Sequence, residues 1–212
     1  PAPGSPGNAV RLFPGEPIGK FFVWDHAGFT EDGNWMLRGD DGEVFDVTER
    51  TKTNQDKKFI GNAIPKLILA WNNQLTIGKF DVNAYFRGWS GHDIFNMPNF
   101  YYGVPLESRN VLVENYEDQK HITGEKELSD YWIEKGDFLK LDVLSVGYSF
   151  DLKGSDHVKG LRVYATGQNL FVLTNYSGLN PEVNINGLDP GFEERATYPQ
   201  TRTFMLGVQA NF

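Results

Sequence analysis

The sequence contains no cysteine, which excludes a disulfide framework, a thiolate nucleophile and a thiolate metal site. It has no run of about 18 consecutive apolar residues, so no transmembrane helix is expected. Histidine is scarce: His26, His92, His121 and His157 stand in separate segments, without the close spacing of a metal-binding pair. Basic residues are outnumbered 20 to 28, for a net charge of −8, whereas a nucleic-acid binder would want a basic face. Gly-x-Ser-x-Gly, phosphate-loop and dinucleotide signatures are missing as well. Glu193-Glu194 lacks a partner for acid–base work. Asp40-Asp41-Gly42-Glu43 with Asp46 lacks the spacing of a calcium loop and reads as a polar hairpin turn. Nothing in the sequence argues for an enzyme or a cofactor. Pro1-Ala2-Pro3-Gly4-Ser5-Pro6-Gly7 is not a signal peptide, and without an initiator Met the chain reads as a piece of something longer.

What is present favours strands and turns. The 212 residues include 23 Gly and 11 Pro, and 14% are aromatic. The clearest pattern is alternation with a period of two residues. In Thr201–Phe212, Phe204, Leu206, Val208, Ala210 and Phe212 share one face, and Met205, Gly207, Gln209 and Asn211 share the other. Phe80, Val82, Ala84 and Phe86 likewise oppose Asp81, Asn83, Tyr85 and Arg87. Further strands are expected over Ile18–His26, Lys66–Ile77, Tyr131–Phe150 and Leu161–Leu173, giving about six long ones of roughly 10 to 13 residues, which suit a tilted bilayer crossing of about 9–11. A parity change near Val143-Leu144 predicts a β-bulge or a strand apolar on both faces.

Connections alternate in length. Gly78-Lys79 and Asp151–Gly160 are short; Ala27–Asn62, with a small hairpin inside it, Phe95–Ser129 and Thr174–Gln200 are long. Outer-membrane barrels show that asymmetry, with short periplasmic turns and long external loops. A mean hydropathy of −0.44 is compatible with this, because barrel strands distribute their apolar half by alternation. Period alone leaves two readings open: a membrane barrel, or a soluble β-sandwich whose split is core against solvent. Trp24, Trp71, Trp89 and Trp132, with Tyr85, Tyr101, Tyr102 and Tyr131, fall near expected strand ends or in the adjoining loops. They suit an interfacial girdle or stacking platforms in a binding cavity.

An ordered series of motifs runs through nearly the whole chain: Gly15-Glu16-Pro17-Ile18-Gly19-Lys20-Phe21-Phe22, Ile60-Gly61-Asn62-Ala63-Ile64-Pro65-Lys66, Gly91-His92-Asp93-Ile94-Phe95-Asn96, Tyr131-Trp132-Ile133-Glu134-Lys135-Gly136-Asp137-Phe138-Leu139-Lys140-Leu141, Val146-Gly147-Tyr148, Leu161 to Leu170, Thr174 to Val183, and Tyr198-Pro199-Gln200-Thr201-Arg202-Thr203-Phe204. In these residues the chain resembles the SusC/RagA-type TonB-dependent transporters of the Bacteroidetes outer membrane. The resemblance implies an all-β fold over residues 1–212, an antiparallel transmembrane β-barrel segment comprising about the last six strands of a barrel of about 22. The plug and the TonB-engaging region would lie outside this sequence. It also implies a multi-pass bacterial outer-membrane protein that imports oligosaccharides or peptides. Its partners would be a SusD-like lipoprotein lid, TonB with its inner-membrane motor, and outer-membrane lipids. Asp81, Asn83, Tyr85 and Arg87 are then expected to face the lumen, with Phe80, Val82, Ala84 and Phe86 toward lipid. Phe212 resembles the terminal aromatic read by the barrel-assembly machinery. The alternative from a different class is a non-transport protein: a carbohydrate-binding β-sandwich or a small adhesin-like barrel.

Overall fold

The computed structural model describes residues 6–106, 110–152 and 158–212. In chain order the strands are β1 (Phe21–Phe29), β2 (Trp35–Arg38), β3 (Val44–Asp46), β4 (Lys57–Ile60), β5 (Leu67–Ile77), β6 (Phe80–Ser90), β7 (Asp93–Asn96), β8 (Ile133–Lys135), β9 (Phe138–Asp151), β10 (Gly160–Thr174), β11 (Phe192–Glu193) and β12 (Thr203–Asn211). Two short helices, α1 (Met97–Tyr102) and α2 (Val113–Gln119), follow β7. No helix among the described residues is long and apolar enough to cross a membrane, which says nothing about strands. The chain forms two compact units: one of residues 1–66, 91–136 and 176–198, the other of 67–90, 137–175 and 199–212.

The second unit is a five-stranded antiparallel sheet in the order β12-β10-β9-β6-β5, with β12 and β5 at its edges. Its strands are the alternating stretches of the sequence. β5 turns into β6 through Gly78-Lys79, and Gly78 takes φ +61°, which a hairpin turn of this length asks of its first residue. Register then stacks like on like. Ile77, Phe80 and Tyr148 pair across β5, β6 and β9, as do Leu75, Val82 and Val146. The row continues from Val146 through Ala165 to Leu206. The resulting apolar face stays open: Leu206 is 87% exposed, Phe204 74%, Val208 67% and Trp71 62%. Leaving this much contiguous apolar surface in water is not what a soluble sandwich does. The bulge expected near Val143 falls at Asp142, where the β6 pairing slips between Tyr85 and Phe86. On the other side β10 slips between Gln168 and Phe171, and Asn169 there has φ +53°.

The first unit corrects the expected layout. β1 is not part of the long-stranded sheet; it is central in a four-stranded sheet ordered β3-β2-β1-β4. The extended reading of Tyr131–Phe150 also breaks in two: β8 pairs with β7 in a three-stranded sheet, and only β9 belongs to the long one. Nor are the three long connections plain loops. With Phe21 and Val23 of β1 and Trp132 they form a core, to which the first connection gives Trp35 and Leu37, the second Phe95 and Leu128, and the third Phe192. Trp35 packs on Trp132 at 5.6 Å between ring centroids. Trp24, Tyr131 and Trp132 are therefore core or core-packed side chains here, not members of a girdle. The Asp40–Glu43 stretch is the β2–β3 turn, closed by Asp41 Oδ1 accepting from the Glu43 amide at 3.0 Å.

Candidate functional site

The polar face of the five-stranded sheet gathers the residues singled out in the sequence. β6 runs without interruption, so Asp81, Asn83, Tyr85 and Arg87 share that face at every second position. Their cross-strand partners are Gly147, Ser145 and Val143 on β9, then Lys140 beyond the bulge. On β10 the same face carries Arg162, Tyr164, Thr166 and Gln168, opposite Gln209, Gly207, Met205 and Thr203 of β12. The alternation predicted this segregation; what it did not predict is how the side chains join.

Two charged assemblies form. Near the turn end, Arg162 donates to Asp81 through Nε at 2.9 Å and Nη2 at 2.5 Å. This two-point pairing spans from β10 over β9 to β6. Gly147 of β9 makes it possible, because a Cβ there would stand 2.5 Å from both Arg162 Nη2 and Asp81 Oδ1. Tyr164 lies the other way, over Gly207 of β12, where a Cβ would stand 2.2 Å from its Cζ. The Arg162 guanidinium sits 4.7 Å from the Tyr164 ring centroid. Further along the sheet, Arg87 pairs with Asp142 at the bulge, and Lys140 Nζ lies 3.0 Å from the same carboxylate. Lys140, almost wholly buried, also donates to Gln200 Oε1 at 2.6 Å. A hydroxyl pair, Thr166 to Ser145 at 2.9 Å, lies between the two assemblies. At the far end Trp89, Ser90, Asp137, Phe138 and Val172–Asn175 line a cleft of about 600 Å³.

Sequence reasoning missed a second polar network, in the first unit. Glu193, 1% exposed, accepts from Tyr176 Oη at 2.7 Å and from the amides of Leu179 at 3.2 Å and Asn180 at 2.9 Å. Glu134 accepts from the Ser177 amide and hydroxyl, both at 2.8 Å. Two carboxylates thus hold the Tyr176–Asn180 turn, the part of the Thr174–Val183 motif that carries Gly178. Burial raises the Glu193 pKa above the usual glutamate range, against the lowering effect of its donors. Burial, then the Glu193 charge, raises that of Tyr176. The only sequence signal was the motif itself. The described histidines stand in separate surroundings: His26 packs against Phe29, Trp35 and Tyr131, burial lowering its pKa. His92 is buried near the Pro181 carbonyl, His121 lies on Phe29, and His157 lies outside the described residues. Phe212 follows β12 and is exposed.

No protein-family model matches the chain. It is 28% identical over 229 aligned positions to the TonB-dependent receptor P3 of Formosa agariphila, covering 93% of this chain and 22% of that protein. With the TonB-dependent receptor P39 of the same organism it shares 31% identity over 204 positions, 84% of this chain and 19% of the relative. A shorter stretch of 88 positions, 40% of this chain and 8% of the relative, is 42% identical to the TonB-dependent receptor SusC of Bacteroides thetaiotaomicron. Among solved structures, the fold matches that of the RagAB peptide transporter with a TM-score of 0.75 at 18% identity, over 96% of this chain and 24% of that one. An all-β, mostly antiparallel chain of this fold, with sequence relatives of this name, is part of a TonB-dependent receptor. Within that class it belongs to the SusC/RagA type, as a partial chain spanning 22% of the length of the P3 relative.

Proposed function

We propose that the whole protein of which this chain is part actively imports oligosaccharides or peptides across the bacterial outer membrane, driven through TonB. In this reading the five-stranded sheet is a stretch of barrel wall. Its Asp81–Asn83–Tyr85–Arg87 face lines the lumen and its Phe80–Val82–Ala84–Phe86 face meets lipid. The folded unit built from the long connections is external, where a SusD-like lipoprotein would cover it, and Phe212 contributes to recognition by the assembly machinery. The observation that carries the reading is the two-faced sheet, with an open apolar side and a polar side tied together by ion pairs. A lipid-and-water boundary requires that arrangement. The names of the relatives, receptor and peptide transporter, support the same direction.

This chain has no cysteine, so once any cysteine elsewhere in the full-length protein is replaced, an introduced one is the single reactive thiol. In cells carrying the full-length protein, a membrane-impermeant thiol reagent is expected to reach cysteine at Asn83 or Gln209 and not at Val82 or Val208. Uptake should disappear when TonB is deleted. Labelling at both parities alike, or uptake indifferent to TonB, would overturn the proposal.

A further inference from the structure

The sequence holds a single Asn-Gly step, Asn186-Gly187, in the third long connection. Both residues are exposed. Asn184 shapes the turn before it: its Oδ1 accepts from the Asn186 amide at 3.0 Å, and its Nδ2 donates to the Asn186 carbonyl at 3.2 Å. Gly187 takes φ +83°, which glycine adopts without strain, and the space where a Cβ would stand is open. Among the described residues neither the Asn186 carboxamide nor the Gly187 amide has a hydrogen-bond partner.

A free carboxamide next to a free, unshielded amide is a reactive pair, because the chain itself holds nucleophile and electrophile together. The Gly187 nitrogen, on losing its proton to water, attacks Asn186 Cγ. A cyclic imide forms, the Cγ–Nδ2 bond breaks and ammonia leaves. The Asn184 donor on the Asn186 carbonyl draws electrons from the amide that must give up that proton. Water then opens the ring at Cγ, leaving aspartate, or at the main-chain carbonyl, leaving isoaspartate with the chain rerouted through Cβ. The two Asp-Gly steps, which follow the same chemistry, are tied down. The Gly33 amide donates to the Thr30 carbonyl at 3.0 Å and the Gly42 amide to the Gly39 carbonyl at 3.1 Å. The effect of a change at Asn186 would not stay local. Isoaspartate lengthens the main chain inside a loop that the Gly191 amide closes on the Asn184 carbonyl at 2.8 Å. The Gly191 carbonyl in turn accepts from the Phe95 amide at 2.8 Å. That contact anchors the start of β11, the strand carrying the Glu193 that holds the Tyr176–Asn180 turn.

We propose that Asn186-Gly187 is a self-modification site, which converts through a cyclic imide to isoaspartate and aspartate and loosens the anchor of β11 as it does so. The test incubates the full-length protein, folded in its own outer membrane, in mildly alkaline buffer made with heavy-oxygen water. Peptide masses are then mapped with and without an enzyme that methylates isoaspartyl carboxylates. The peptide carrying Asn186 is expected to lose ammonia, gain heavy oxygen and become methylatable, while those carrying Asp32-Gly33 and Asp41-Gly42 stay unmethylated. Asn186→Gln, whose longer side chain would have to close a larger and slower-forming ring, is expected to lose the reaction. The wild-type time course decides the site even where that variant fails to assemble. Amide exchange at Gly191 and Phe95 should be faster in the modified fraction than in the unmodified one. Asn186 still intact in the folded protein when a urea-unfolded sample has converted overturns the site. Conversion to aspartate alone, without isoaspartate, overturns the imide route. Isoaspartate with unchanged exchange at Gly191 and Phe95 overturns the effect on the anchor.

Discussion

Arg162 of β10 reaches over β9 to grip both carboxylate oxygens of Asp81 on β6, directly above Gly147. The pair, its glycine floor and the neighbouring Tyr164–Gly207 contact occupy positions that alternate regularly in sequence, yet the partners are 81 residues apart along the chain.

Gly147 is therefore expected to tolerate no side chain. Gly147→Ala puts a Cβ 2.5 Å from Arg162 Nη2 and Asp81 Oδ1, and overpacking of this kind costs about 1–3 kcal/mol. Urea unfolding of the refolded full-length barrel measures it. A variant as stable as the wild type would show that the ion pair moves aside freely.

The two faces should respond oppositely to charge. Val82→Arg and Leu206→Arg each place a cation on the open apolar side, where the cost near a bilayer midplane is about 2–4 kcal/mol. Gln209→Arg, on the polar side, should cost close to nothing. Equal costs in lipid-vesicle unfolding would contradict the assignment of faces.

The Glu193 clamp predicts a local loss. In Glu193→Ala the buried Tyr176 hydroxyl and the amides of Leu179 and Asn180 lose their acceptor, at about 1–3 kcal/mol for each group left unsatisfied. Amide exchange at Leu179 and Asn180 should accelerate well before that of β9 or β10. Unchanged protection would mean that the turn is held by something else.

Acidity should act on the same clamp with a definite sign. Burial raises the Glu193 pKa above its ordinary 4.5, so the folded state holds that proton more tightly than the unfolded state. Its contribution is full below pH 4.5 and declines as pH rises through the folded value. Burial raises Glu127 as well, against the Lys52 contact, and adds in the same direction. Glu193→Gln removes one titrating group, so the stability of the first unit should fall less between pH 4.5 and 8. An identical pH profile in the variant would exclude Glu193 as a contributor.

Lys57 offers the reverse case, a cation that the fold holds without need. It is 5% exposed, its Nζ has no hydrogen-bond partner among the described residues, and it lies 4.3 Å from the Trp24 ring centroid. Burial, then the nearby Arg11 charge, pushes its pKa down. Lys57→Met keeps the stem, and a net gain of about 1 kcal/mol is expected: about 1–3 from removing the unpartnered group, less about 0.5–2 of cation–π attraction. A fall in melting temperature would show that the ammonium is needed where it is.

What could be read in advance follows from length. β5, β6, β10 and β12 are long enough for a two-residue period to repeat several times, and open enough on one side for apolar and polar positions to separate cleanly. Their existence, faces and short turn were legible, and so was the bulge of β9, whereas the slip in β10 between Gln168 and Phe171 was not. β2, β3, β4, β7, β8 and β11 are two to four residues each, too short for any period to register. They are stabilised by the buried rings of Trp35, Trp132, Phe21 and Phe95, which come from distant parts of the chain. β1 misled for a related reason: with Phe21, Val23 and Trp24 buried, it has apolar residues on both faces, as a membrane strand near a rim also would. The alternating strands and, through the ordered motifs, the family could be read directly, because both are written in local residue order. Only the tertiary structure decided that the long connections fold around a core of their own, that two glutamates hold the Tyr176–Asn180 turn, and that Arg162 lies over Gly147 on Asp81, because each depends on pairings between segments that no local pattern encodes.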